Sequence, residues 1–329
     1  MLRLTVWMNV PSFHQGDLFR ALIASGEVDL QVIFAKRLPS DRIQAGWRDD
    51  LEGYPHRFVN KRLWAAMSMA WEQRDRIHVV NGLWAEPSFA AALVVLAAAG
   101  SAYAIYSEVP DHFKSPHPDP YLAKRSFFKE LLKTPFGRLL APKAAGVLPV
   151  SHFAELFFKR LGVSDEAIYP FGYFRSGYQH AATPSISSDA RIDVVFVGRL
   201  IRLKGIDLLI EAMLPLFEKH NNLSLTVVGG GELMKPLREQ VEALGISERV
   251  SFEGVLPTNK VQERLAKADL LVTPSRGDGW GLAVNEAFSV GVPVIVSDRC
   301  GAADLVRDGV NGYVFRSEDV EDLRRCIGR

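Results

Sequence analysis

The stretch Thr273–Asp298, TPSRGDGWGLAVNEAFSVGVPVIVSD, constrains the chain more than any other. The apolar run Asp269–Thr273 leads into it and predicts a strand. Pro-Ser-Arg-Gly-Asp-Gly-Trp-Gly then carries too much glycine for regular structure. Leu282–Val290 reads as a helix, and Gly291 stands where a helix end favours a residue tolerant of positive φ. Val292–Ser297 is a second apolar run, patterned for a strand buried on both faces. Strand, glycine loop, helix and strand make a βαβ unit. Two acids, Asp278 and Glu286, bracket the loop and the first turns of the helix. Backbone amides at such a helix start suit phosphate or sugar hydroxyls.

The same grammar extends along the chain. Strands are expected at Leu2–Val10, Val28–Ala35, Arg57–Asn60, Ile77–Gly82, Ala102–Ser107, Ala145–Val150 and Ala167–Phe171. Helices are expected up to about Ser25, over Leu63–Arg74 and Pro87–Ala99, and over Tyr121–Leu140 with a break near Pro135. Ser151 is expected to cap the helix after it. Residues 172–191 lose the apolar period and fill with Gly, Ser, Pro and Thr, which reads as a linker. Alternation resumes with strands at Ile192–Val197, Leu223–Val228, Val250–Phe252, Asp269–Thr273 and Val292–Ser297. Such alternation gives parallel sheets covered by helices. The expected organisation is an α/β domain over residues 1–175, a linker over 176–191 and a second α/β domain over 192–329, shortened at its end because the chain stops soon after a helix near Ser317.

Composition excludes several function classes. With 329 residues, 48% hydrophobic and 23% charged, the chain can bury two cores. A net charge of +1 gives no global field for nucleic acid. Residues 1–175 carry 21 Lys+Arg against 17 Asp+Glu, and residues 176–329 carry 18 against 21, so the first half is mildly basic. Cys300 and Cys326 offer neither a disulfide framework nor a metal-ligand spacing. The start, LRLTVWMNV, reads as a strand rather than a targeting segment, and the longest apolar run, Phe89–Ala99, is too short for a span. A cytoplasmic protein is the expectation, at most peripheral on the inner face of a membrane.

Three motifs lie at successive strand ends of the second domain. Gly198–Asp207, GRLIRLKGID, brings Arg199 and Lys204 to the carboxyl edge of a sheet, where Arg grips a diphosphate in a fork and Lys adds a point charge. Its alternative is a basic loop paired with surface acids. Val228–Glu232, VGGGE, lets backbone approach a ligand closely, although turns also use glycine. The third is the opening stretch.

These motifs together resemble the retaining glycosyltransferases of family 4, which have the GT-B fold. GRLIRLKGIDLLIEA is similar to that family's Arg/Lys phosphate motif, DGWGLAVNEAFSVGVPVIVSD to its E-x7-E motif, and CGAADLVRDGVNGYVF to the usual continuation. The resemblance covers roughly Arg191–Cys326, with the first half similar only in architecture and in a glycine loop at Gly16. It implies two Rossmann-like doubly wound domains facing a central cleft, the first binding an acceptor and the second a UDP- or GDP-linked sugar. It implies Arg199 and Lys204 on the donor diphosphate and Glu286 on the ribose. Asp278, in the place of a glutamate, falls to the transferred sugar. Gly230, Gly279, Trp280, Gly281 and Leu282 offer backbone to the sugar and phosphate, and Gly16 approaches from the first domain. No metal and no cofactor are implied.

One departure concerns a histidine that relatives place after the fifth strand. Here that loop begins Tyr106-Ser107-Glu108-Val109-Pro110-Asp111-His112, which makes Glu108 the first candidate, with Ser107 beside it and His112 behind it. His14, beside Gly16, is another candidate, and for both histidines a plain loop role is the alternative. The implied activity is retaining, metal-independent transfer to a glycan or lipid-linked acceptor in polysaccharide, lipopolysaccharide or glycolipid assembly. The rivals are a sugar-nucleotide epimerase and a non-catalytic nucleotide-sugar-binding protein. Lys124, Arg125, Lys129 and Lys133 interleave with Phe127, Phe128, Leu131 and Leu132, a pattern for an anionic membrane surface that Trp64 and Trp71 beside Lys61 and Arg62 extend; an ordinary solvated basic face is the alternative.

Overall fold

The computed structural model describes residues 1–44, 49–83, 86–108, 135–174 and 191–329. The chain divides into two compact units between Arg175 and Ser176. Most of the expected linker, His112 and the basic stretch Lys124–Lys133 lie outside the described residues.

The first unit holds β1 (Leu2–Met8), β2 (Val28–Phe34), β3 (His56–Phe58), β4 (Ile77–Asn81), β5 (Tyr103–Glu108) and β6 (Gly146–Val150). All pairs are parallel, in the order β3-β2-β1-β4-β5-β6. The second holds β7 (Ile192–Val197), β8 (Leu223–Val228), β9 (Val250–Gly254), β10 (Leu270–Thr273), β11 (Val294–Ser297) and β12 (Gly312–Phe315). It too is parallel, in the order β12-β11-β10-β7-β8-β9. In each sheet the chain builds one side, returns to the middle and builds the other. The carboxyl ends of β1 and β4, and of β7 and β10, therefore diverge into a crevice suited to a ligand.

Burial follows the sequence pattern. All six residues of β8 and all four of β11 are buried, as central strands of a parallel sheet covered on both faces should be, Ser224, Thr226 and Ser297 included. The second core packs Phe196, Leu225, Val272 and Ile295 against Leu209, Met213 and Phe217 of the helix Ile206–Lys219. The first packs Trp7, Ile33, Val80 and Ile105 against Phe89, Leu93 and Leu96 of the helix Pro87–Ala98.

Four local expectations need correction. Ala167–Phe171 forms no strand: a 3-10 turn, Asp165–Ala167, takes its first residue, and only Ile168 and Phe171 bridge singly to Val147 and Val150. The helix Phe13–Ala24 starts early enough to place Gly16 in its first turn, not in a loop. Ser151 holds the N-cap position of the helix His152–Arg160 at φ 85, yet its side chain makes no cap hydrogen bond and its Oγ is buried without a partner. The sixth strand of the second unit, β12, escaped the sequence reading because it opens on a glycine directly after a polar turn.

One buried group gives the first unit an expected pH dependence. His78 is fully buried on β4, where its Nδ1 accepts from the Trp7 indole at 3.0 Å and its Nε2 faces the Gln73 carbonyl at 3.0 Å. This fixes the Nε2–H tautomer. Burial pushes its pKa down to about 4. In the unfolded chain the ring binds its proton near pH ~6.5, so the unfolded state holds more protons between the two values. Stability is expected to be full above that range and to fall by about 3 kcal/mol as pH drops through it toward 4. Denaturant melts of the wild type and His78→Gln across pH 4–7 test this. A slope unchanged in the variant would remove His78 as its source.

Candidate functional site

The crevice of the second sheet is built from three strand-end segments. The segment after β7 runs from Gly198 to Gly205 and ends in a 3-10 turn, Arg202–Lys204. The segment after β8 carries the three glycines, and that after β10 runs from Pro274 to Gly281. Leu200 N donates to Gly230 O at 2.9 Å, Leu233 N to Leu200 O at 3.0 Å, and Arg276 N to Leu203 O at 2.9 Å.

The glycines owe their identity to these crossings. A Cβ on Gly229 would lie 1.8 Å from Gly198 O, and one on Gly231 2.5 Å from Leu200 O. A Cβ on Gly205, at φ 70, would lie 1.9 Å from Pro274 O. Close approach of chain to chain explains Gly229 and Gly231, where the sequence reading invoked approach to a ligand. Gly230 is less constrained, since a Cβ there would meet the Val255 side chain at 2.8 Å.

Lys204 and Asp278 come together across the crevice. Lys204 Nζ pairs with Asp278 Oδ2, and the two side chains are 19% and 17% exposed. Asp278 is held through its backbone, its N–H donating to Arg299 O at 3.0 Å and its carbonyl accepting from Gly301 N at 3.1 Å. Arg199 is exposed at the loop start, and no ion pair with a described residue holds it. The acid that Lys204 meets is thus Asp278 of the glycine loop.

The helix Leu282–Ser289 opens at Gly281, in the left-handed region at φ 97 and without a side-chain cap. A Cβ there would lie 2.4 Å from Cys300 Sγ. Cys300 is fully buried, and its thiol donates to Trp280 O at 2.9 Å. Burial and the nearby Asp278 charge push this thiol's pKa well up, so it stays protonated. Trp280 is buried and its indole donates to Asn285 Oδ1 at 2.6 Å, locking the loop to the helix. Glu286, one turn in, is 5% exposed. Gly279 is buried and Leu282 half-buried.

The sequence reading did not single out Arg276, Asp207 or Cys300. Arg276 forks onto Asp207 at 2.8 and 2.7 Å, donates to Arg202 O at 2.7 Å and reaches Glu318 at 3.2 Å. Asp207 holds the guanidinium pKa above its ordinary value. This clamp ties the segment after β7 to the segment after β10. Its only sequence signal was an arginine inside a glycine loop.

In the first unit, Glu108 ends β5 and accepts from the Tyr173 hydroxyl. Ser107 Oγ donates to Glu108 O at 2.7 Å. Burial and the Glu108 charge raise the pKa of both Tyr173 and Tyr106, which keeps the phenols protonated as donors. Asn9 after β1 donates to Asn81 of β4 at 3.0 Å, so polar groups collect at this sheet's switch point as well. Gly16 faces Asp50, whose Oδ2 would sit 1.9 Å from a Cβ and which is held by Arg20 at 2.8 Å.

Among the described residues no cluster of His, Cys, Asp and Glu could hold a metal, and no helix is long and apolar enough to cross a membrane.

Two parallel six-stranded α/β sheets of this order define a GT-B architecture. The chain aligns over its full length with the lipopolysaccharide outer core galactosyltransferase WaaB (TM-score 0.73, 17% identity, 90% of that chain). It aligns equally with HepE from Anabaena in complex with UDP (TM-score 0.72, 17% identity, 89% of that chain). At those identities the likeness is one of fold. Residues 183–328 match the family described as Glycosyl transferases group 1. Over 142 residues, 41% of this chain, it is 34% identical to the GDP-mannose-dependent alpha-(1-6)-phosphatidylinositol monomannoside mannosyltransferase of Mycolicibacterium smegmatis. The match spans 37% of that relative's length.

Proposed function

We propose that the chain is a retaining, metal-independent glycosyltransferase of family 4. It moves a sugar from a UDP- or GDP-linked donor to a glycan or lipid-linked acceptor in cell-surface polysaccharide or glycolipid synthesis, at the cytoplasmic side of a membrane. The observation that carries this reading is the pairing of Lys204 with Asp278 at the switch point of the second sheet.

A donor diphosphate seated there meets Lys204 and Arg199. As the bond from the anomeric carbon to the phosphate oxygen breaks, negative charge grows on the leaving diphosphate, and fixed cations stabilise it without reorganisation. The acceptor hydroxyl oxygen bonds to the anomeric carbon on the same face, and its proton passes to the departing phosphate oxygen. Asp278 accepts hydrogen bonds from hydroxyls of the transferred sugar, and Glu286 from those of the ribose. The Gly279–Leu282 backbone donates to sugar and phosphate. In the first unit, Glu108 and Gly16 are the candidate residues for substrate contact.

Titration calorimetry with UDP- and GDP-sugars, followed by a transfer assay, tests the reading. One donor class is expected to bind, and Arg199→Ala to abolish that binding. Binding without hydrolysis or transfer to any acceptor would leave a nucleotide-sugar-binding protein instead, and no binding would overturn the donor site.

A further inference from the structure

The helix Leu63–Glu72 is packed in reverse. Its small residues Ala66 and Ala70 are fully buried in the first core, with Ala65 and Met69 packed beside them. Its large apolar residues face solvent: Trp64 is 67% exposed, Trp71 55%, Leu63 52% and Met67 43%. Positions 64, 67 and 71 share one helix face, being three and four residues apart. A helix ordered by the core alone buries its largest apolar groups. Two exposed indoles on one stripe are the mark of an interaction surface.

Cations rim the stripe at both ends. Lys61 and Arg62 precede the helix and Arg74 follows it, all exposed. The turn before the helix is fixed, with Lys61 N donating to Ala35 O at 2.9 Å and Arg62 N to Val59 O at 3.0 Å. The Arg74 guanidinium lies 4.5 Å from the centre of the Trp71 ring. Of the nearby acids, Asp75 is paired with Arg3 at 2.7 Å, while Glu72 accepts from Ser68 Oγ at 2.7 Å and keeps its charge, leaving three rim cations against one free acid.

We propose that this face docks on an anionic lipid surface, with Trp64, Met67 and Trp71 entering the headgroup region and Lys61, Arg62 and Arg74 meeting lipid phosphates. Indoles with a polar edge and flanking long cations suit the boundary between hydrocarbon and water. The rim's charge favours this over self-association, because a two-fold contact between copies presents the same patch twice and brings like charges together. The stripe shares no residue with the donor site, so the proposal stands or falls independently of it.

The test is sedimentation of the full chain with vesicles of phosphatidylcholine alone and of phosphatidylcholine mixed with phosphatidylglycerol. Binding is expected only to the mixed vesicles, weakening as salt rises. Reversing all three cations (Lys61→Glu, Arg62→Glu, Arg74→Glu) is expected to weaken it by at least about tenfold. Trp64→Ser with Trp71→Ser is expected to weaken it by about tenfold too, and to abolish a blue shift of tryptophan emission on binding. Both variants should keep the wild-type melting temperature. If either fails to fold, vesicle protection of wild-type tryptophan emission from iodide quenching supplies the same readout. Absence of wild-type binding at low salt overturns the proposal, as does wild-type binding by both folded variants. A dimer dissociated by the tryptophan changes, without vesicle binding, also overturns it and assigns the face to a second copy.

Discussion

Lys204→Ala is expected to lower kcat/KM for the donor by about 10²–10³-fold, the usual loss when one fixed charge at a developing anion is removed. The pair with Asp278 sharpens this expectation. Asp278→Asn removes the negative charge but keeps hydrogen-bonding atoms, so donor binding should persist while kcat falls. Because the side chains touch, the two changes should not add. The double variant should deviate from the sum of the single effects by about 0.5–3 kcal/mol, as contacting residues do. Steady-state kinetics of the four proteins decide it. Turnover unchanged in Asp278→Asn would remove that residue from the sugar site. Strict additivity would mean that the ion pair has no part in setting the site's geometry.

Gly205→Ala and Gly229→Ala should each cost at least about 3 kcal/mol, in the class of exceptional single-residue effects. Gly205 sits at φ 70, and an added Cβ would lie 1.9 Å from Pro274 O. Gly229 sits at φ 139, and an added Cβ would lie 1.8 Å from Gly198 O. In both cases the obstacle is backbone, which no rotamer change relieves. Moving it would shift the segments that carry Lys204, Arg199 and Asp278, so donor affinity should fall along with stability. By contrast, Gly230→Ala meets only the Val255 side chain at 2.8 Å and should be mild. Thermal melts of the three variants check the order. A Gly229→Ala protein as stable as Gly230→Ala would refute the chain-crossing account.

Much of the second unit was legible in the sequence. The expected strands Ile192–Val197 and Leu223–Val228 coincide with β7 and β8, because buried parallel strands are written as mainly apolar, β-branched runs, here interrupted only by Asp193, Ser224 and Thr226. Gly291 takes φ 78 just past its helix, as its place in the sequence implied. The short β12 was hidden: β10 and β11 are equally short, but each opens on an aliphatic residue, whereas β12 opens on a glycine directly after a polar turn. Of the candidate site, the residue types and their strand-end positions were legible, but the partnerships were not. Lys204 and Asp278 are 74 positions apart, and Arg276 and Asp207 are 69 apart.

The alternation of apolar runs and glycine loops was enough to determine two doubly wound sheets, and hence that the loops after β7 and β10 flank one crevice. Local pattern decides that much because periodicity and turn chemistry act over a few residues. Only the folded chain decided which charges meet there. It alone showed that Gly229 and Gly231 make room for neighbouring backbone and that Arg276 clamps two loops. Those outcomes depend on distances between residues remote in sequence, which packing sets and local pattern does not carry.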